Sequence, residues 1–286
     1  MTDVRIDPLS GATVVVVGFR QGRPNLPDGC PFCPGGLEAP EPYEVRWFKN
    51  RWPPLPDGRA EILLFSPEHA ASLAGLGVAG VRRVVDLWAD RTVALGGRED
   101  VSYVFPFENR GPEVGATIQH PHGQVYAFDT VPAVPRRELQ APSCVLCDAV
   151  ADDRIVTRVG GWWAAVPHAP MWPYELLMAP DDHLPDVPTA SGAERDGFAA
   201  VLVDALTRLD QVFDGPMPYM LWVHQRPTDG GDWPSAHLHV HVAPLLRRPG
   251  VPRYVAAAEQ GSGVWFDPVV PEDAAATLRS LPGPPA

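Results

Sequence analysis

Four cysteines are the first residues whose type and spacing suggest chemistry. They form two pairs of one pattern, Cys30-Pro-Phe-Cys33 and Cys144-Val-Leu-Cys147. Two thiolates on one tight turn chelate a soft cation such as zinc. Disulfides belong to small exported scaffolds, and this chain has 286 residues. A thioredoxin-type redox pair is the weaker reading, since neither pair opens a clear helix after a strand. The histidines keep the same beat. His69 lies 36 residues after Cys33, and His183 lies 36 after Cys147. His120 follows His69 by 51 residues, and His237 follows His183 by 54. Seven of the nine histidines fall in these matched places, mostly within His120-Pro-His122-Gly-Gln124 and His237-Leu-His239-Val-His241.

Those side chains need elements to position them. Residues two apart on a strand share a face, so His120, His122 and Gln124 should project together, as should His237, His239 and His241. Three polar groups on one face of a buried strand cost free energy unless they bind something. A strand is expected upstream of each cluster, at 101–107 and at 219–223. Before each strand an apolar stripe at helical spacing predicts a helix. The first stripe is Val78, Val81, Val85 and Trp88; the second is Phe198, Val201, Leu202, Ala205, Leu209 and Phe213. CxxC, His, helix, strand and histidine strand thus occur twice in order, which reads as a duplication. Residues 130–143 read as the linker, and the halves are expected at 1–135 and 136–286. Each should be an α+β unit with an antiparallel sheet and a packed helix.

Composition narrows the partners. Hydrophobic residues at 45% can fill a sizeable core, and a net charge of −12 excludes a general nucleic-acid-binding surface. A small anion held by local arginines remains compatible with that charge. No stretch approaches the roughly 20 apolar residues of a membrane span. The apolar run at 12–19 follows acidic residues and lacks a basic lead-in, so it does not read as a signal peptide. No membrane partner and a cytoplasmic location are expected.

The segment Phe107-Glu-Asn-Arg-Gly, a glycine loop and then His120-Pro-His-Gly-Gln124 resembles the active-site segment of galactose-1-phosphate uridylyltransferases, a branch of the histidine-triad superfamily. Arg5-Ile-Asp-Pro-Leu-Ser-Gly-Ala, Arg20-Gln-Gly-Arg23-Pro and Phe65-Ser-Pro-Glu-His69 resemble further segments of that family, as do residues 163–180 and 219–247. The resemblance implies a duplicated histidine-triad fold, antiparallel sheets with packed helices, and a homodimer. It also implies ping-pong transfer of UMP between UDP-glucose and galactose 1-phosphate, or a related sugar 1-phosphate, through a covalent nucleotidyl-histidine. Two rivals are a nucleoside-diphosphate-sugar phosphorylase and a zinc-stabilised nucleotide-binding protein without turnover.

Carried over residue by residue, the resemblance makes Cys30, Cys33, His69 and His120 a zinc site and His122 the nucleophile. An imidazole of ordinary pKa, about 6.5, is mostly neutral at pH 7 and attacks phosphorus without a helper base. Gln124 stands where the hydrolytic branch has His. Its amide can donate a hydrogen bond to a phosphoryl oxygen but cannot shuttle a proton, which favours transfer over hydrolysis. Asn50, Asn109 and Thr117 match positions around the nucleotide, while Gly111 and Gly115 let the loop backbone approach phosphate. Arg20, Arg23 and Arg253 resemble residues that reach across a dimer to the partner's phosphates. Glu259 fits a carboxylate that binds sugar hydroxyls, but the family's later sugar-binding Gln falls near Trp265. For the second metal the family offers two patterns. One is Glu138, His224, His239 and His241, holding iron or zinc. The other is Cys144, Cys147, His183 and His237, favoured here by its thiolates and repeated spacing, giving two zinc ions per chain. His239 then falls at the nucleophile's place in the second half and reads as a relic of the duplication.

Overall fold

Short β-branched and aromatic runs separated by Pro- and Gly-rich turns build most of the strands. A computed structural model describes residues 3–22, 29–147, 152–213 and 215–285. The chain opens with an exposed hairpin, β1 (Asp3–Ile6) and β2 (Thr13–Val16), in which Val4 and Ile6 point into solvent. There follow β3 (Arg46–Lys49), β4 (Ala60–Leu64), α1 (Gly77–Gly96), β5 (Tyr103–Arg110), β6 (His122–Phe128) and α2 (Ala133–Leu139). The second half supplies β7 (Ile155–Val159), β8 (Trp162–Ala165), β9 (Leu176–Pro180), α3 (Gly192–Leu209), β10 (Tyr219–His224) and β11 (His239–Pro244). A small hairpin, β12 (Leu246–Arg248) with β13 (Val251–Pro252), leads to α4 (Ala257–Ser262) and α5 (Pro271–Ser280).

The halves do not keep separate sheets. Nine strands form one sheet in the order β3-β4-β6-β5-β10-β11-β9-β8-β7. The seam is the antiparallel pair β5–β10, with Arg110 opposite Tyr219 and Phe107 opposite Trp222. Each half would otherwise end on an open strand edge, and pairing the two edges satisfies both backbones. On either side of the seam the order repeats as β5-β6-β4-β3 and β10-β11-β9-β8.

The two long helices pack side by side against one face. Val81, Val85 and Trp88 of α1 are buried as their spacing predicts, but Val78 sits at the solvent edge of the first turn and is 42% exposed. On α3 the stripe from Phe198 to Leu209 is buried, and Phe213 lies beyond the helix end. Ser191 and Glu194 form a capping box that starts α3. Trp162 stacks on Phe198 with centroids 4.4 Å apart. The Arg91 guanidinium on α1 makes two hydrogen bonds to buried Glu61 (2.8 and 2.9 Å) and lies 3.6 Å over Trp47, pinning α1 to β3 and β4. Arg195 of α3 donates to Asp86 of α1 at 3.0 Å, a link between the halves.

The face opposite these helices is left for chemistry. Along β6, Gly123, Val125 and Ala127 turn to the helices while His122, Gln124 and Tyr126 turn away. β11 does the same, with Val240 and Val242 in the core and His239 and His241 opposite. The stretch 130–143 is no simple linker: it contains α2, which carries Glu138 over this face, and the expected boundary at 135/136 falls inside that helix. Among the described residues no helix is long and apolar enough to cross a membrane.

Candidate active site

Cys30, Cys33, His69 and His120 each offer a ligand atom within 4.8 Å of the others. The cysteines sit on a turn closed by a hydrogen bond from Gly36 N–H to the Cys33 carbonyl (2.8 Å). A Cβ at Gly36 would meet the carbonyls of Pro31, Cys30 and Cys33 at 2.7–2.8 Å, so the turn requires glycine. His69 and His120 both present Nδ1 at 3.6 Å from Cys33 Sγ. Nε2–H of His120 donates to the Ser66 carbonyl at 2.7 Å, and the Tyr43 hydroxyl packs on the same nitrogen at 2.8 Å. This fixes the tautomer that leaves Nδ1 for a metal. Burial lowers the His120 pKa and keeps the ring neutral, the form that ligates. Two thiols and two imidazoles suit a closed tetrahedral zinc site. His120 is not on the histidine strand as expected. It lies on the turn before β6, which begins at His122.

His122 is therefore the first residue of β6. Its Nδ1–H donates to the His120 carbonyl at 2.8 Å, which places the lone pair on Nε2. Phe32 packs edge-on to the ring at 5.1 Å. His120 thus faces Cys33 with its ring and holds the His122 ring with its backbone carbonyl. Gln124 follows on the same face and accepts from the Tyr126 hydroxyl at 3.2 Å, so its NH2 is the group left to donate. Between them, Gly123 has no room for a side chain: a Cβ would lie 2.6 Å from the Phe65 ring and 2.8 Å from the Phe107 carbonyl.

A pocket of about 440 Å³ opens over this strand. His122, Gln124, Arg20, Asn50, Asn109, Gly115 and Thr117 all line it. Gly115 holds φ +84°, the left-handed turn that brings the loop's backbone to the pocket. Asn50 accepts from Trp52 N–H at 2.9 Å through Oδ1, which fixes its amide. In Phe107-Glu-Asn-Arg110 the alternation separates two jobs. Phe107 and Asn109 face the pocket, while Glu108 is buried on the other face and accepts from the Tyr219 hydroxyl at 2.9 Å. Burial pushes Glu108 up to about 7. Arg110 pairs with Asp210 at 2.6 Å, so the motif also fastens the seam.

Among the described residues expected at the substrate, Gly111, Arg253 and Glu259 do not line this pocket. Arg23 lies outside the described residues. Arg253 and Glu259 sit in the C-terminal segment as a buried ion pair, with the guanidinium 4.8 Å from the Trp172 ring and 5.3 Å from that of Trp265. Arg20 lines its own chain's pocket. The apolar walls Phe32, Phe48, Ile62 and Ile118 were not anticipated. Phe32 inside the CxxC turn was the available signal. The ion pair of Glu38 with Arg51 (3.0 Å) on the rim had none.

The second half assembles both of the metal patterns posed as alternatives. Cys144, Cys147, His183 and His237 converge within 4.8 Å, and so do Glu138, His224, His239 and His241. The sets share no residue. His237 lies on the turn before β11 and puts Nδ1 3.1 Å from Cys144 Sγ, while Cys147 Sγ is 3.2 Å from Nδ1 of His183. His239 and His241 lie on the strand itself and face α2. Burial, reinforced by neighbouring imidazoles, lowers His237 to about 4 and holds His241 well below its usual value. Against the effect of burial, His224 and His239 hold the Glu138 carboxyl well below its usual range. Neutral rings and an ionised carboxylate are what a metal needs.

Residues 52–132 match the family profile of the galactose-1-phosphate uridyl transferase N-terminal domain, and residues 138–283 match that of its C-terminal domain. A galactose-1-phosphate uridylyltransferase from Thermotoga maritima is 33% identical, with 98% of this chain and 98% of the relative aligned. One from Streptomyces lividans is 36% identical over 98% of this chain and 87% of the relative. A solved uridylyltransferase structure superimposes with a TM-score of 0.89 at 27% identity, covering 98% of both chains.

Proposed function

On the premise that the chain belongs to the galactose-1-phosphate uridylyltransferase family, we propose that His122 carries UMP from UDP-glucose to galactose 1-phosphate in a ping-pong reaction. Nε2 of His122 attacks the α-phosphorus of UDP-glucose. The P–N bond forms as the P–O bond to glucose 1-phosphate breaks, and that anion leaves without needing a proton. The positive charge on the imidazole is stabilised by Nδ1–H donating to the His120 carbonyl at 2.8 Å. A phosphate oxygen of galactose 1-phosphate then attacks the same phosphorus, releasing UDP-galactose and the neutral ring. The Gln124 NH2 donates to the non-bridging oxygen throughout. Arg20, Asn109, Thr117 and the Gly115 backbone hold the phosphates, and the apolar walls take the nucleoside.

The observation that carries this reading is that His122–His120 bond, set in a pocket that also gathers Gln124, Asn50, Asn109 and Thr117. Zinc at the Cys30 set, and a second zinc at the Cys144 set, would hold the turns that precede β6 and β11; the chemistry supplied is structural. The Glu138 set suits iron or zinc through its oxygen and nitrogen donors. A homodimer would cover the apolar side chains of the β1–β2 hairpin, and a cytoplasmic location suits the nucleotide-sugar substrates.

The test is UDP-glucose alone, then with acceptor. One equivalent of glucose 1-phosphate per active site should appear as a burst, with turnover only after galactose 1-phosphate is added. Steady UMP release without acceptor, discharge by inorganic phosphate in preference to sugar phosphate, or no burst at all would each overturn the proposal.

A further inference from the structure

The second half holds a cavity of about 270 Å³ for which the transfer reaction has no use. The sheet register shows where it came from. In β5–β6, Phe107 stands opposite Gln124; in β10–β11, Trp222 stands opposite His241. His122 and His239 lie two residues before those positions, and each bonds Nδ1 to the carbonyl of a histidine two residues back, at 2.8 and 2.7 Å. Asn109 and His224 lie two residues after Phe107 and Trp222. The second half therefore has His239, His241 and His224 where the first has His122, Gln124 and Asn109. The cavity occupies the place of the first half's pocket, with His241 and His224 standing where that pocket has Gln124 and Asn109.

Those imidazoles turn to one carboxylate. His224 Nδ1 lies 2.7 Å from a Glu138 oxygen, His239 Nε2 3.5 Å and His241 Nε2 4.0 Å. The His224 contact is out of line for a hydrogen bond, and both ring nitrogens of His241 are buried without a hydrogen-bond partner. Orphaned donors around a carboxylate are the arrangement of metal ligands, not of a hydrogen-bond network. All four of these residues line the cavity. Its other walls are mainly apolar, with Leu139, Leu146 and Leu177 prominent, and among the described residues no Lys or Arg lines it.

We propose that an ion held by Glu138, His224, His239 and His241 is reached from this cavity and binds there a small amphipathic anion, a carboxylate with a short alkyl body. The inference rests on the reading of these four residues as a metal site. The head group meets the ion and the alkyl body lies against the leucines. A sugar phosphate does not suit the cavity, because nothing but the ion neutralises charge there and the walls offer little to hydroxyls.

The experiment uses the full-length protein as purified, with metal content measured alongside. Acetate, butanoate and hexanoate are titrated calorimetrically, with UMP present to fill the first pocket. Affinity should rise about fourfold per added CH2, the expected gain for burying a methylene. His241→Ala should lose one metal ion per chain and the carboxylate binding with it. Ala141→Phe, which fills the cavity from its rim, should keep the full metal content and acetate binding but lose hexanoate. Equal affinity along the series, or binding that survives in both variants, would overturn the proposal while leaving the metal site standing. Unchanged metal content in His241→Ala would overturn the metal reading and this inference together, and neither result touches the burst assay for transfer.

Discussion

At the scale of single residues, the active strand divides its work between neighbours. His120 turns its ring to Cys33 and His69 and its carbonyl to His122, so on the proposed reading the two histidines should fail differently. His122→Gly is expected to abolish turnover while zinc content and melting temperature stay near those of the parent. His120→Gly should release zinc and lower the melting temperature, because metal binding at such a site is folding free energy. Near-normal double-displacement kinetics in the His122 variant would show that another group carries UMP. In the proposed mechanism Gln124 sets the fate of the intermediate. Gln124→His supplies an acid where only an amide stood, and general acid catalysis is worth at least about 100-fold. UMP release from UDP-glucose without acceptor should rise on that order, as measured by chromatography of the products.

At the scale of elements, the site depends on close packing beneath β6 and on the pin that holds α1 to β3 and β4. Gly123 leaves its space to the Phe65 ring and the Phe107 carbonyl. Gly123→Ala must push the strand outward and should cost about 1–3 kcal/mol, the usual range for overpacking, with a matching loss of activity as His122 and Gln124 shift. Arg91→Met would leave the Glu61 carboxylate buried without its partner. Removing one member of a buried pair costs about 3–5 kcal/mol, whereas Arg91→Met with Glu61→Leu should recover most of it. Urea unfolding of the single and double variants measures both, and equal destabilisation in the two would contradict the argument.

At the scale of the whole molecule, the β5–β10 seam makes one sheet from two halves and buries Glu108 within it. Burial pushes Glu108 up to about 7, and Glu175 likewise. Between an unfolded carboxyl's ordinary value near 4.5 and about 7, the folded protein therefore keeps protons that the unfolded chain gives up. The contribution of Glu108 and Glu175 to stability must fall as pH rises through that window. His120, His237 and His241, whose pKa values burial lowers, contribute with the opposite sign below about pH 6.5. The Glu108 share is at most about 3 kcal/mol, at 1.36 kcal/mol per pKa unit. Glu108→Gln keeps a partner for the Tyr219 hydroxyl without the charge, and should gain stability relative to the parent, by up to about 3 kcal/mol, as pH rises from 5 to 8. A variant with the parent's slope would place the proton uptake elsewhere.

The chemistry of the first half was legible in the chain because it is local or evenly spaced. A CxxC turn, a histidine 36 residues on and the run from His120 to Gln124 each announce themselves through residue type and interval, and the repeat of those intervals predicted the duplication. The pairing of β5 with β10 had no such mark. It joins residues about 110 apart, and either edge alone is an ordinary strand, so only the packed molecule decides that the edges meet. The same holds for Glu138, which looks like part of a proline-rich connection until α2 lays it over three imidazoles. The family resemblance posed two metal patterns for the second half as alternatives, and the repeated intervals favoured the cysteine set. The fold removes the choice, because the turn before β11 sends His237 to the cysteines while the strand sends His239 and His241 to Glu138 on the opposite face from the helices. Periodicity along one strand cannot express that change of direction. It arises where the chain passes from turn to strand, and the tertiary position of the cysteine turn and of α2 determines which donors each histidine meets.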